Sequence, residues 1–376
     1  ESPRGRIFMM RGALEGKIPV NPALLRHLDS CLMCQKCESI CPSGVKYGRL
    51  LEGVRAELEP VRGRTWRETG LRRLVLRGLL GSSVRLRLTA ALMRRVRWGF
   101  GIARRIGLLR RLGLEGMAQI VAVRRSGSWR KYYPAQGLER GEVGLFLGCA
   151  ARVTDDETLR ASVFVLNRLG YAVRVPPGQG CCGALHRQMG DSNGVPRLAQ
   201  ANRTAFAGLS AVLLSASGCG ASLRDALESS GVATHEISGF LDCAEGWESA
   251  DIAPLPASVW VHDPCSLRNA LRAAEAPYRL LQRIPGLRVE SLPGNDQCCG
   301  GAGAYMLTQP VMAQALRDDK MNAVRVSDAH LVATSNVGCS LHLQQGLRQA
   351  GMEAEVLHPV VLLARQMGFK TAPTRG

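Results

Sequence analysis

The stretch "GNDQCCGG" (Gly294–Gly301) places two adjacent cysteines before a glycine, and "GQGCCG" (Gly178–Gly183) does the same 117 residues earlier. Each lies in the same kind of text. Upstream of the first, "VGLFLGC" (Val143–Cys149) is a short apolar run ending in a cysteine, and "SVWVHDPC" (Ser258–Cys265) stands at the matching place before the second. Downstream, "AVLLSASGCG" (Ala211–Gly220) and "AHLVATSNVGC" (Ala329–Cys339) close the two units with another strand and cysteine. The intervals are Cys-x31-Cys-Cys-x36-Cys and Cys-x32-Cys-Cys-x39-Cys. Such self-similarity marks an internal repeat. Helical stretches separate the apolar runs: "DETLRASVFVLNRLG", Val195–Leu209, Ala276–Arg283 and Pro310–Arg325. Strands alternating with helices predict parallel βαβ units. Ligands gather outside the carboxyl ends of such strands, and every cysteine group is expected just past a strand end. Gly183 and Gly300 follow the pairs where a side chain would crowd an incoming cluster.

A different pattern opens the chain. "CLMCQKCESICPSG" (Cys31–Gly44) carries Cys31, Cys34, Cys37 and Cys41 in the order C-x2-C-x2-C-x3-C-P. This is the run of bacterial ferredoxins, whose fourth cysteine ligates the other cluster in two-cluster forms; it favours a [4Fe-4S] cubane over zinc, whose ribbons set two C-x2-C knuckles well apart. A helix is expected over Lys46–Glu59. The fold class that follows is α+β/α/β, an amino-terminal helical ferredoxin-like cluster domain and then two tandem Rossmann-like βαβ repeats. The ranges are 1–60 for the cluster domain, 61–135 for a basic amphipathic helical segment broken near Gly81 and Gly99, 140–250 for the first repeat and 255–370 for the second. "KYYPAQGLERGE" (Lys131–Glu142) reads as a linker.

Thirteen cysteines in a long chain without a signal peptide point to metal ligation rather than a disulfide framework. Thiolates are soft ligands, so Cys149, Cys181, Cys182 and Cys219 in the first repeat, and Cys265, Cys298, Cys299 and Cys339 in the second, suit zinc, a redox-active thiol pair or an iron–sulfur centre. A vicinal pair gives two corners to one zinc ion only with difficulty, yet reaches different irons of a cluster, which favours iron–sulfur. Cys243 has no counterpart in the other repeat and reads as a buried structural thiol. His262, three residues before Cys265, and His342, three after Cys339, read either as strand-end caps that tune a cluster or as ordinary core histidines. His186 and His235 carry no signal, and Asp29 and Glu38 read as solvated.

The net charge is +18, and Arg62–Arg111 holds fifteen arginines against one acid, Glu68. Basic and leucine residues alternate there at helical spacings, which fits an anionic membrane surface or an acidic partner, or a solvated face. Leucines rather than aromatics interleave the arginines, so nucleic acid is not the expected partner. The aromatic content of 5% leaves the core to Leu, Val and Ala. No apolar run reaches the ~18–20 residues that span a bilayer. P-loop, G-x-S-x-G and H-E-x-x-H motifs are absent, so no catalytic residue is assigned. Several one-electron centres without an organic-cofactor signature describe an electron conduit fed by a partner.

These residues resemble the family of Cys-Cys-Gly proteins that includes heterodisulfide reductase subunits, lactate-utilisation iron–sulfur proteins and the glycolate oxidase iron–sulfur subunits. The likeness is greatest to the last, in "SPRGRI" (Ser2–Ile7), "CLMCQKCESICPSGVKYGRLLE" (Cys31–Glu52), "QGCCGALH" (Gln179–His186), "SGCGA" (Ser217–Ala221) and "CCGGAGAY" (Cys298–Tyr305). The resemblance implies two [4Fe-4S] clusters in the amino-terminal domain and flavoprotein partner subunits, which alone carry FAD and oxidise glycolate to glyoxylate. It also implies a cytoplasmic protein, peripheral on the inner face of the membrane through residues 61–135, that passes electrons toward a membrane acceptor. A first cysteine run precedes "SPRGRI" in that family, so Cys31, Cys34 and Cys37 are expected to serve one cluster and Cys41 another whose remaining ligands lie upstream of a truncated start. The alternative is an iron–sulfur oxidoreductase subunit of the heterodisulfide-reductase or lactate-utilisation kind. Repeats of that kind usually close with C-x-x-C; Ser222 and His342 stand at those last positions here, which argues against noncubane clusters and disulfide reduction.

Overall fold

Short strands, the central ones apolar and buried, build two separate sheets, one mixed and one parallel. The computed structural model describes residues 2–63, 127–327 and 329–370, with scattered positions between 70 and 88. Most of the expected basic segment 61–135, with its breaks at Gly81 and Gly99, lies outside the described residues. The first sheet comprises β1 (Tyr132–Tyr133), β2 (Gly141–Phe146), β3 (Tyr171–Arg174), β4 (Ala211–Leu214) and β5 (Ala233–Glu236), in the order β1-β3-β2-β4-β5. All its pairings are parallel except that of β1 with β3. The second holds β6 (Ser258–His262), β7 (Arg288–Ser291), β8 (Leu331–Thr334) and β9 (Glu355–Leu357), in the order β7-β6-β8-β9, parallel throughout.

The order explains where the cysteines go. From β2 the chain crosses to β3 on one side, then returns to β4 and β5 on the other; β6, β7, β8 and β9 repeat this course. The direction of winding reverses between β2 and β4, and between β6 and β8. That reversal opens a crevice at the carboxyl edge of a parallel sheet.

Several elements depart from the sequence reading. The expected linker contributes β1, whose Tyr132 and Tyr133 pair with Arg174 and Val173. The edge strands β5 and β9 went unread, because "ATHE" and "EVL" are too short and too polar to carry a strand pattern. Cys219 and Cys339 do not sit directly on strand ends. They lie in the first turns of helices Ser217–Leu227 and Val337–Ala350. Ser266–Leu271 forms a π-helical turn just after Cys265.

The two sheets share one core. Leu159, Val165 and Leu166 of the first repeat cluster with Leu280, Leu281 and Ile284 of the second, and helix Pro359–Gln366 inserts Val360, Leu363 and Ala364 between them. Arg365 reinforces the seam, its Nη2 2.9 Å from Glu157 Oε1 and 3.0 Å from Glu355 Oε1.

Residues 2–63 are helical: Pro3–Leu14, Pro22–Asp29, Lys36–Ser39 and Tyr47–Leu58, the last within a residue of the expected bounds. Ser2 Oγ and Asn21 Oδ1 cap the first two by accepting from Gly5 N at 3.0 Å and Leu24 N at 2.9 Å, with a proline at each first turn. Met10, Leu24, Leu28, Leu51, Val54 and Leu58 form their core, and Cys31 and Cys37 pack against it. Asp29 and Glu38 are not simply solvated. Asp29 pairs with Arg62 at 2.6 Å, and Glu38 accepts from Gly48 N at 3.1 Å.

Because Leu363 is fully buried in the shared core, Leu363→Ala is expected to lower stability by about 2–5 kcal/mol. Chemical denaturation followed by far-UV circular dichroism measures this, and a loss below about 0.5 kcal/mol would contradict a common core.

Candidate metal centres

Each repeat gathers its four thiols at one sheet edge, from the segments that follow three of its strands. In the first, Cys149 Sγ lies 3.6 Å from Cys181 Sγ, and Cys182 is within hydrogen-bonding reach of both Cys181 and Cys219. In the second, Cys265 Sγ lies 4.0 Å from Cys298 Sγ, and Cys299 is within reach of Cys298 and Cys339. Cys181, Cys182, Cys299 and Cys339 are buried and the other four are half-buried.

One thiol in each set shares hydrogen bonds with its neighbours, Cys181 with Cys149 and Cys182, and Cys298 with Cys265 and Cys299, and these bonds hold both well below the ordinary thiol range. Cys149, Cys182, Cys265 and Cys299 are pushed up by the same bonds and by burial. Backbone N–H groups also point at sulfur in matching places, Gly183 N to Cys181 Sγ at 3.5 Å and Gly300 N to Cys298 Sγ at 3.4 Å.

These two glycines serve the backbone. Gly183 and Gly300 have φ of +88° and +81°, a region L side chains rarely occupy. A Cβ on Gly300 would stand 2.4 Å from the carbonyl oxygen of Ala313, whereas one on Gly183 would meet nothing closer than 3.8 Å. Both glycines thus answer a backbone requirement, with a steric one added in the second repeat.

A buried amide, legible in the sequence only as a residue type, holds each pair in place. Gln179 Oε1 accepts from Leu147 N at 2.7 Å and its Nε2 donates to Leu145 O at 3.2 Å. Asn295 Oδ1 accepts from Asp263 N at 3.1 Å and its Nδ2 donates to Val261 O at 2.6 Å. In both repeats the partners lie two and four residues before the first cysteine. Asn202 adds a second clamp in repeat 1, taking Gly180 N at 2.9 Å and giving to Cys181 O at 3.0 Å. Lys320, which donates to Gly294 O, takes that place in repeat 2.

The amino-terminal run is tightly wound, with Met33 and Gln35 at φ of +55° and +57°. Burial raises the thiols of Cys34 and Cys37, and Cys31 and its neighbours in the run add to the effect. Cys41 is different: N–H groups of Val45 and Ser43 lower it.

This run docks on the second repeat. Asn269 Nδ2 donates to Cys34 O at 2.7 Å, Tyr305 Oη to Ser30 O at 3.1 Å, and Lys36 Nζ lies 2.8 Å from Asp296 Oδ2. Between them is a cavity of about 260 Å³, lined by Cys34, Cys265 and Cys298 together with Lys36, Arg268 and Asn269. Arg55 ties the same unit to the first repeat through Gln188 O at 3.0 Å.

Among the histidines, His262 is buried, with Nδ1 3.0 Å from Thr334 Oγ1, and burial pushes its pKa down to about 3. A ring nitrogen of His262 and the sulfurs of Cys299 and Cys339 all lie within 4.8 Å of one another. His342 is buried against Ala313 O at 3.0 Å, and His186, unmarked in the sequence, pairs with Asp191 at 3.0 Å. Cys243 is not buried as expected: it is exposed, because it is the last residue of helix Ile237–Cys243.

Residues 143–224 and 259–344 match the Cysteine-rich domain (CCG) family, one stretch for each repeat. The chain is 31% identical to the probable glycolate oxidase iron-sulfur subunit of Bacillus subtilis (strain 168), over 99% of this chain and 89% of that one. It is 32% identical to the glycolate oxidase iron-sulfur subunit of Escherichia coli (strain K12), over 91% of this chain and 84% of that one. Similarity to lactate utilization protein A of Bacillus velezensis is 26%, over 58% of this chain and 96% of that one.

Gln179→Ala and Asn295→Ala each leave buried backbone groups unsatisfied, so each is expected to destabilise by about 1–3 kcal/mol. Denaturant titration tests this, and a change within about 0.5 kcal/mol in both variants would contradict the tether.

Proposed function

The chain belongs to the family of glycolate oxidase iron–sulfur subunits, and on that premise we propose that it is the electron-transfer subunit of a glycolate-oxidising complex. Flavoprotein partners carry FAD and oxidise glycolate to glyoxylate in this reading. This chain receives the electrons and passes them toward a membrane acceptor, from a peripheral position on the cytoplasmic face. The observation that carries the proposal is the convergence of four thiols at the crevice of each sheet, together with a third set docked against the second repeat.

The donor chemistry fits iron–sulfur groups. Thiols are the ligands such clusters take, and vicinal cysteines at each crevice supply donors side by side. Cys31, Cys34 and Cys37 would hold a [4Fe-4S] cluster in a ferredoxin-like amino-terminal unit, and Cys41 would serve a second one. Cys149, Cys181, Cys182 and Cys219 would hold the centre of repeat 1, and Cys265, Cys298, Cys299 and Cys339 that of repeat 2. Bound in these places, clusters supply one-electron carriers.

The chain's own groups set the surroundings. Gly183 and Gly300 donate N–H to sulfur, and Tyr47 Oη lies 3.9 Å from Cys31 Sγ. Hydrogen bonds and positive charge near sulfur favour the reduced state of a cluster. Lys36 and Arg268 at the cavity rim place that charge beside Cys34 and Cys298.

Two measurements test the reading. Cys181→Ser and Cys298→Ser should lose iron while Cys243→Ser keeps it; equal loss in all three would remove the distinction between ligand and bystander. Co-purified with its flavoprotein partners, the chain should lose visible cluster absorption when glycolate is added anaerobically. The chain alone should not respond. Unchanged absorption while the flavin is being reduced would overturn the electron-transfer role.

A further inference from the structure

We propose that His262 is a nitrogen ligand of the repeat 2 centre, so that the two repeats hold chemically different centres, all-thiolate in repeat 1 and mixed thiolate–imidazole in repeat 2. The inference rests on the reading of the repeats as metal sites and goes beyond the twelve cysteines assigned there.

The two repeats share their strand order and their cysteine spacing at both ends, which allows a position-by-position comparison. Three residues before the first cysteine stands Phe146 in repeat 1 and His262 in repeat 2. Five residues before the last cysteine stands Leu214 in repeat 1 and Thr334 in repeat 2. These residues are cross-strand partners in both sheets, Phe146 opposite Leu214 and His262 opposite Thr334. One apolar pair at the crevice has thus been exchanged, at both of its positions, for a polar pair. In repeat 1 the pair belongs to an apolar cluster that includes Cys181 and Cys182, with Phe146 also packed against Phe206.

The polar pair is oriented like a ligand and its support. Thr334 Oγ1 lies 3.0 Å from His262 Nδ1. A hydroxyl accepting from Nδ1–H fixes the tautomer and leaves the Nε2 lone pair free, which is how metal-bound histidines are commonly held. Nε2 is buried and has no hydrogen-bond partner among the described residues. Leaving a buried imidazole nitrogen without a partner is costly, and native proteins rarely do so without a reason. His186 Nε2 and His342 Nδ1 are also buried without a hydrogen-bond partner among the described residues; His262 differs in that its ring lies with Cys299 and Cys339, their donor atoms mutually within 4.8 Å. A histidine serving only as a strand-end hydrogen bond to Thr334 would not need its ring beside two buried thiols.

The test uses the full chain reconstituted anaerobically with iron and sulfide, with pulsed EPR on the reduced sample. Wild type should show the strong 14N hyperfine coupling of a directly bound imidazole. The double variant His262→Phe/Thr334→Leu installs the repeat 1 pair and should lose that coupling. Its repeat 1 signal should remain. Absence of the coupling in wild type, or its survival in the double variant, would overturn the assignment; the wild-type spectrum decides even if the double variant does not fold. Cys298→Ser separates the two levels of the argument. Iron loss in that variant together with no 14N coupling in wild type rejects the histidine ligand and keeps the metal site. No iron loss rejects the metal reading of repeat 2, and the histidine ligand with it.

Discussion

A single buried amide ties each Cys-Cys pair to the strand that carries the first cysteine of its set, and the geometry of both crevices depends on that bond. Parallel strands deliver their loops to one edge but do not fix how far the loops reach. Gln179 and Asn295 fix it, each by pairing with an N–H and a C=O at the carboxyl end of the central strand. The left-handed glycine after each pair then turns the chain and aims its N–H at a sulfur. The thiols that result lie within hydrogen-bonding reach of one another, Cys149 with Cys181 at 3.6 Å and Cys265 with Cys298 at 4.0 Å. Such a network is poised to exchange its protons for metal, since thiols ligate as thiolates.

The rest of the chain builds on this pair of crevices. The two sheets are welded by helix Pro359–Gln366 into one core, which holds the crevices in a fixed relation. The amino-terminal helices then settle against repeat 2 through Asn269, Asp296 and Tyr305. This docking is asymmetric: Cys34 joins Cys265 and Cys298 in lining one cavity, and no residue of the run lines the smaller cavity beside Cys149 and Cys219. The asymmetry agrees with the difference in side chains between the crevices, Phe146 and Leu214 in one and His262 and Thr334 in the other.

Much of this was legible in the sequence, for physical reasons. Central strands such as Val143–Phe146 and Val259–Val261 are buried on both faces, so they read as apolar runs. The spacing of Cys149, Cys181, Cys182 and Cys219 repeated closely enough to reveal two units and their shared edge. The edge strands β5 and β9 escaped because polar, half-exposed residues such as Thr234, His235 and Glu355 leave no periodic signal. Cys219 and Cys339 were read as strand ends because helix first turns and strand ends look alike in a short stretch of small residues. Gln179 and Asn295 were invisible as tethers, since a buried amide differs from an exposed one only through its partners. His262 was noticed by its spacing, but its unpartnered Nε2 and its pairing with Thr334 belong to the third dimension.

The most direct test of the central claim is iron and acid-labile sulfide per chain on anaerobically reconstituted protein, with zinc measured alongside. The account predicts about twelve irons, four for each of three thiol sets in the cubane form, and negligible zinc. About four irons or fewer, with stoichiometric zinc, would mean that the two crevices are structural zinc sites and that the electron-transfer account is wrong.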